Sequence, residues 1–222
     1  MFKKVAVLVA VMSLGGLTVL PAQASDATAV GLKVGTLGYG IEGVRALSDT
    51  VNLRFGYNAY NWSKTKTSGG VSYDGTLKLE SFDVLADWHP FGNGFRFTGG
   101  VMYDNNKFDV SGQPSSGAYT INGHTYSAAE VGSLNGSINW NNAAPYIGIG
   151  YGDAVAAGSP WTFMVDVGAL YQGSASVSLT ATNPTHNASL TSDVSASQST
   201  LQSDLNSYKW YPVASIGVEY RF

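Results

Sequence analysis

The sequence predicts an all-β protein, an antiparallel transmembrane β-barrel of about eight strands, and three observations carry that prediction. The closing stretch YPVASIGVEYRF alternates to its end, with Phe222, Tyr220, Val218, Ile216, Ala214 and Pro212 on one face and Arg221, Glu219, Gly217 and Ser215 on the other. That is the period of a strand, at a place where chains usually fray. The composition is the second observation: 12% of residues are charged, with 27 Gly, 13 Tyr, 9 Phe and 5 Trp, and no apolar run of helical length follows residue 19. Lipid-facing positions that alternate with lumen-facing ones average out in hydropathy, so such a barrel leaves no helical signal. Third, short and long connections alternate, as they do when periplasmic turns are short and extracellular loops long.

The chain begins MFKKVAVLVAVMSLGGLTVLPAQA, a Lys pair, an apolar run and Ala22-Gln23-Ala24. This reads as a signal peptide over residues 1–24, leaving a barrel domain over 25–222. The apolar run is broken at Gly15-Gly16 and is too short for a comfortable helical span of about 20 residues. Loss of Lys3 and Lys4 leaves ten basic against fifteen acidic residues, a net charge of −5. Nucleic acid is therefore not an expected partner. The chain has no cysteine, which excludes thiolate and disulfide chemistry.

The elements follow in order. Ala29 to Val34 starts the barrel and reverses tightly near Leu37-Gly38. From Val51, the residues Val51, Leu53, Phe55, Tyr57 and Ala59 form an outward set; Phe95, Phe97, Val101 and Tyr103 form another, and Trp161, Phe163, Val165, Val167, Ala169 and Tyr171 a third. Each segment is long enough to cross a bilayer as a tilted strand of about 10 residues. Two segments change phase: Leu77 and Leu79 precede Phe82, Val84, Ala86 and Trp88, and Ile138 and Trp140 precede Ala143, Pro145, Ile147 and Ile149. One extra residue near Glu80-Ser81 and another near Asn141-Asn142 would restore the alternation as β-bulges; the alternative is that the upper part of each strand stands clear of the membrane. Short connections fall at Ser48-Asp49, His89 to Gly94 and Asp153 to Pro160. Long polar ones fall at Ser63 to Asp74, Val110 to Asn135 and Ser176 to Asn206. Within them, YTINGHTY signals a two-residue hairpin at Asn122-Gly123. The spacing of Leu190, Val194, Leu201 and Leu205 fits either a short amphipathic helix or a disordered serine-rich loop.

Taken together, VGTLGYGIEGVRAL, NLRFGYNAYNW, DWHPFGNGFR, APYIGIGYG and YPVASIGVEYRF resemble the small outer-membrane β-barrel proteins of Gram-negative bacteria, and are distantly similar to the barrel domain of outer membrane protein A. The resemblance covers the whole mature chain. It implies outer-membrane lipid as surroundings, the barrel assembly machinery as a partner in biogenesis, and an assembly signal in which Gly217, Tyr220 and the terminal Phe222 take part. No peptidoglycan-binding domain follows Phe222 in this sequence, so cell-wall tethering is not implied.

Two decoys fall away on context. Gly38-Tyr39-Gly40-Ile41-Glu42-Gly43 matches the dinucleotide fingerprint letter for letter, but a turn and a further alternating strand follow it rather than a helix that could hold pyrophosphate. No cofactor is expected; the glycines make room for bulky lumen neighbours. Enzymatic chemistry would draw on His89, His124 or His186, with Glu130, Asp193 and abundant Ser in the long loops. The topology places His89 on the periplasmic side and the other two outside, and solvated loop histidines are the ordinary reading; no catalytic or metal-binding residue is assigned.

The informative constellation is inward charge. Glu42, Arg54, Asp83, Asp87, Arg96, Asp166, Glu219 and Arg221 all project into the lumen on these registers, and such charges must pair in a narrow interior. They read either as a structural plug or as a gate built from switching ion pairs. The plug is favoured, because an interior of eight strands is just wide enough for side chains to fill. The expected role is structural or surface-interacting, with a narrow channel or a carrier of small, partly apolar molecules as the alternative.

Overall fold

The reason the chain closes on itself lies in its register. In a computed structural model that describes residues 27–68, 71–114 and 117–222, β1 (Thr28–Gly35), β2 (Gly38–Ser48), β3 (Val51–Ser68), β4 (Val71–Trp88) and β5 (Phe95–Asp104) pair in sequence. Next come β6 (Lys107–Pro114), the hairpin β7 (Ala118–Ile121) and β8 (His124–Ser127), α1 (Ala128–Val131) and β9 (Leu134–Asn139). The chain then descends through β10 (Ala143–Tyr151) and rises through β11 (Trp161–Tyr171) and β12 (Ser176–Ala181), crosses α2 (Ala188–Leu205) and ends with β13 (Trp210–Arg221). Pairing of β5 with β10, β10 with β11, β11 with β13 and β13 with β1 completes an antiparallel barrel of eight strands. The signal peptide assigned to residues 1–24 lies outside the described residues.

Within the barrel the outward face is apolar and the inward face polar. Val30, Leu32, Phe82, Val84, Val101, Ile147, Phe163, Val165 and Ile216 are exposed, while Arg54, Asp83, Asp87, Arg96 and Asp166 are buried. On β11 and β13 the band is bounded by two aromatic pairs, Trp161 with Tyr220 at 4.8 Å between ring centroids and Tyr171 with Trp210 at 4.9 Å. Ten residue steps at about 3.3 Å, tilted by about 40°, separate them by about 25 Å, the height of an outer-membrane apolar band. No helix among the described residues is long and apolar enough to cross a membrane.

Above that band β3 and β4 continue as 18-residue strands, so Ser63 to Ser68 and Val71 to Asp74 lie in a paired ladder where the sequence led us to expect a loop. With β6, β9 and β12 they build a five-stranded crown. Here the polarity reverses. Val71, Tyr73, Leu77, Leu134 and Leu179 face inward, and Asp74, Thr76, Asp109, Asn135 and Thr180 face outward. Water outside the crown takes the polar face, whereas lipid outside the barrel takes the apolar one. This explains the phase changes. No bulge exists near Glu80-Ser81: β4 runs against β3, and against β5 and β6, in one unbroken register. At Asn141-Asn142 the register toward β5 and β6 is also continuous. One surplus residue does appear toward the other neighbour, since Asn139 to Tyr146 stands opposite the shorter Leu170 to Ser176. It leaves Ile138 and Trp140 on the inward face with Ala144 and Tyr146.

The crown encloses its own core of Val71, Tyr119, Ile121, Tyr126, Val131, Leu190 and Val194. Asn122 and Gly123 take φ of 50° and 81°, the left-handed pair that a two-residue hairpin requires, where the sequence placed them. Helix α2 forms over 18 residues, capped by the Asn187 side chain. Its first half is amphipathic, with Leu190 and Val194 buried, but Leu201 is 43% exposed. The helix also seals the edge of the crown, because Gln202 and Gln198 accept the backbone N–H groups of Val177 and Leu179 at 3.0 Å each.

Candidate functional site

Inward alternation on seven of the eight strands brings the charges together. Arg54 on β3 reaches across the lumen: its guanidinium donates to Asp166 on β11 at 3.0 Å and to Asp87 on β4 at 3.0 Å, and lies 3.6 Å from Glu42 on β2. Arg96 on β5 meets Asp166 at 2.8 Å and donates to the carbonyl of Gly152. Thr98 donates to Asp87 at 2.6 Å, and Asn58 to Asp83 at 3.0 Å. Fork-shaped donors engage carboxylates in this way when both partners are held on rigid strands.

Sequence reasoning missed Lys33, whose ammonium lies 3.0 Å from Glu42 and 3.5 Å from Asp83. Its inward position on the short β1 was readable from the alternation with Leu32 and Val34. Room for its stem comes from Gly40, where a Cβ would meet the Lys33 Cγ at 2.9 Å and Asn58 Oδ1 at 2.4 Å. This gives the decoy glycine motif its structural use. Arg221 requires a correction: it stands outside the lumen network and donates to the carbonyls of Ala156 and Gly158. It is the last residue of β13, level with the β10–β11 connection, and bare carbonyls were nearer than any lumen carboxylate.

Arg96, through the Gly152 carbonyl, and Arg221, through those of Ala156 and Gly158, fasten a periplasmic stopper. The connection from Gly152 to Pro160 folds into the mouth of the barrel, with Ala154 and Val155 packed on Ala29, Val44 and Ala46. Asn52 donates to Asp153 at 3.1 Å, and the buried His89 ring contacts Asn52 at 3.2 Å and the Asn93 carbonyl at 3.2 Å. Above the charges lies an apolar layer of Leu85, Met102, Ala144, Tyr146, Leu170 and Val213, closed by Leu37 from the β1–β2 turn. Between the two layers remains a cavity of about 20 Å³ lined by Lys33, Arg54, Asn58 and Asp166 below and Leu37 and Leu85 above. That is room for one water.

The loop residues weighed for catalysis form a tether. Asp193 on α2 accepts from Tyr126, from Asn122 at 3.0 Å, and contacts His124 at 2.7 Å. These bonds hold its carboxyl at about 2, below the usual range, the Tyr126 hydroxyl contributing most. The same bond pushes the Tyr126 phenol up to about 12. No hydroxyl hydrogen-bonds to the free ring nitrogen of His124 among the described residues, and Glu130 closes the cap of α1 with Ser127. At the other end of the barrel Tyr220 and Phe222 are exposed at the periplasmic rim, 40% and 73%, and a Cβ at Gly217 would meet the Leu32 carbonyl at 2.6 Å.

Among solved structures, two from Acinetobacter baumannii are similar to this chain. CarO2 is 26% identical with a TM-score of 0.59, covering 88% of this chain and 98% of its own, and CarO is 26% identical with a TM-score of 0.58, covering 87% and 97%. A major outer membrane protein from Thermus thermophilus shows a looser likeness, 14% identity and a TM-score of 0.43 over 88% of this chain and 98% of its own. No protein-family model and no curated protein matches the chain. With a closed eight-stranded barrel, an apolar outer band and the likeness to the two Acinetobacter proteins, the chain is a small outer-membrane β-barrel protein.

Proposed function

We propose that this barrel is a closed, charge-plugged scaffold whose business end is the crown, a structural or surface-interacting role rather than conduction. The observation that carries this reading is Arg54, a guanidinium 2% exposed that spans the lumen between Asp87 and Asp166. A water file would have to pass that bridge, the Leu85–Tyr146 layer above it and the Ala154–Val155 stopper below. Each blockade uses different chemistry, so no single rearrangement opens all three.

Planar-bilayer recordings on the reconstituted protein test it. Wild type is expected to conduct poorly, and Arg96→Ala, which leaves Asp166 with Arg54 as its one remaining cation among the described residues and frees the Gly152 carbonyl, to raise conductance slightly as water enters the vacated space. Complete loss of its partners would make dry burial of a carboxylate cost about 3–5 kcal/mol; with Arg54 still in place the cost is a fraction of that, and hydration of the vacated space meets it. A large, stable wild-type conductance that ignores the substitution would overturn the plug and promote the narrow-channel reading.

A further inference from the structure

We propose that the outward face of the crown is a binding groove for neutral glycans, an inference that rests on the surface role argued above. A groove of about 350 Å³ crosses β4, β6, β9 and β12, within the range of small-ligand sites. Its lining falls in two register rows of short polar side chains. Thr76, Asp109, Ser137 and Ser178 stand side by side in one, with Asp74, Ser111, Asn135 and Thr180 in the next.

Strands about 4.8 Å apart, with outward residues about 6.7 Å apart along each, set hydroxyl, amide and carboxylate groups on a grid the width of a sugar ring. Asp74 and Asp109 accept only, and neighbouring hydroxyls of a sugar can both donate to one carboxylate. The side-chain hydroxyls of Ser137, Ser178 and Thr180 make no hydrogen bond among the described residues, so each offers a donor and acceptors to a ligand. Short side chains lose little rotamer freedom when a ligand orders them.

Charge decides which glycans fit. Two carboxylates line the groove and no cation does; the Lys107 ammonium beside it is held by Asp109 at 3.1 Å. Phosphorylated sugars are therefore repelled. Lys107 and Lys78 stand directly opposite one another one row lower, nearer the lipid band. The groove thus opens above the level of anionic headgroups, where uncharged sugar chains extend from a cell surface.

The folded full-length barrel in detergent, titrated with fluorescent maltohexaose, cellohexaose and a neutral galactan hexamer, tests this. At least one should bind with a Kd below about 1 mM, and the double substitution Asp74→Ala, Asp109→Ala should weaken it tenfold or more while heat-modifiable gel mobility stays unchanged. Ser178→Lys, which fills the groove from the edge strand, should do the same. The phosphorylated core oligosaccharide released from lipopolysaccharide should not compete. Failure of all three neutral probes to bind at 10-fold that concentration, indifference to both variants, or preference for the phosphorylated probe would overturn the groove. Bilayer conductance is independent of these titrations, so a closed barrel that binds no glycan removes this inference alone.

Discussion

Glu42 and Glu219 converge over Gly31, which pairs with Glu219 on one side and with Glu42 on the other in a single row across β13, β1 and β2. A Cβ at Gly31 would lie 2.7 Å from the Glu219 Cγ and 3.2 Å from the Glu42 Cγ. The glycine is thus the floor on which two buried carboxyl side chains fold toward each other, with Lys33 on the Glu42 side.

Gly31→Val should displace both side chains in a space that has no slack. Overpacking of this kind costs about 1–3 kcal/mol. Urea unfolding in lipid vesicles, followed by tryptophan fluorescence, is expected to show that loss. Gly43→Val is the control: a Cβ there meets nothing within 4 Å, and its effect should be small.

Val165 is 48% exposed on the lipid face of β11, three residues from the lumen-facing Thr162 at the periplasmic mouth. Val165→Arg should destabilise the barrel by about 2–4 kcal/mol near the bilayer midplane. Thr162→Arg should cost much less, losing a bond to the Asp153 carbonyl and pointing into a wet mouth. Equal costs in the same vesicle assay would reverse the in/out assignment.

The Asp193 tether has a pH window. Its carboxylate is depressed to about 2, so its stabilisation is complete above the ordinary value near 4 and fades as pH falls through 2. The Tyr126 phenol is raised to about 12, so its contribution is complete below about 10 and fades as pH rises through 12. Backbone hydrogen exchange in the Asn122–Gly123 hairpin should stay protected between those limits and open beyond either. Asp193→Asn should flatten the acid limb while leaving the barrel's own exchange unchanged.

Phe222 and Tyr220 lie exposed at the periplasmic rim, Tyr220 against Trp161. Deletion of Phe222, or Tyr220→Asp, is expected to empty the outer-membrane fraction of the protein, because an interfacial aromatic anchors the strand and because we propose, from the resemblance to small outer-membrane barrels, that these residues take part in an assembly signal. Normal amounts of the truncated protein there, with heat-modifiable mobility intact, would remove the recognition role of the terminus.

The barrel itself was readable in the sequence because lipid imposes one rule on every strand, so Val51 to Ala59 and Trp161 to Tyr171 announced their faces directly. The crown was misread at Leu77, Leu79, Ile138 and Trp140 for the same reason: the rule changes sign where lipid ends, and a change of solvent looks like a change of register. Lumen charges followed from alternation once each strand was in phase. Lys33 escaped because β1 is short and its apolar neighbours dominate the pattern. Arg221 was over-assigned because parity fixes the face of a residue and not its partner. The stopper of Ala154 and Val155 was invisible, since nothing local distinguishes a connection that folds inward from one that hangs free.

The switch from Phe82 to Lys78 on β4, with Glu80 between them held by Tyr57 at 3.1 Å and Asn105 at 3.2 Å, works as a depth gauge. Sliding the barrel inward by one pleat drags Glu80 toward hydrocarbon; sliding it outward bares Phe82 and Tyr103 to water. Both displacements are penalised on every strand that continues into the crown, while β1, β2 and β13 end near the boundary. The protein therefore carries its vertical position in its own sheet, and in bilayers thicker than about 25 Å the lipid must thin to meet it, since the rigid barrel has no longer apolar face to offer.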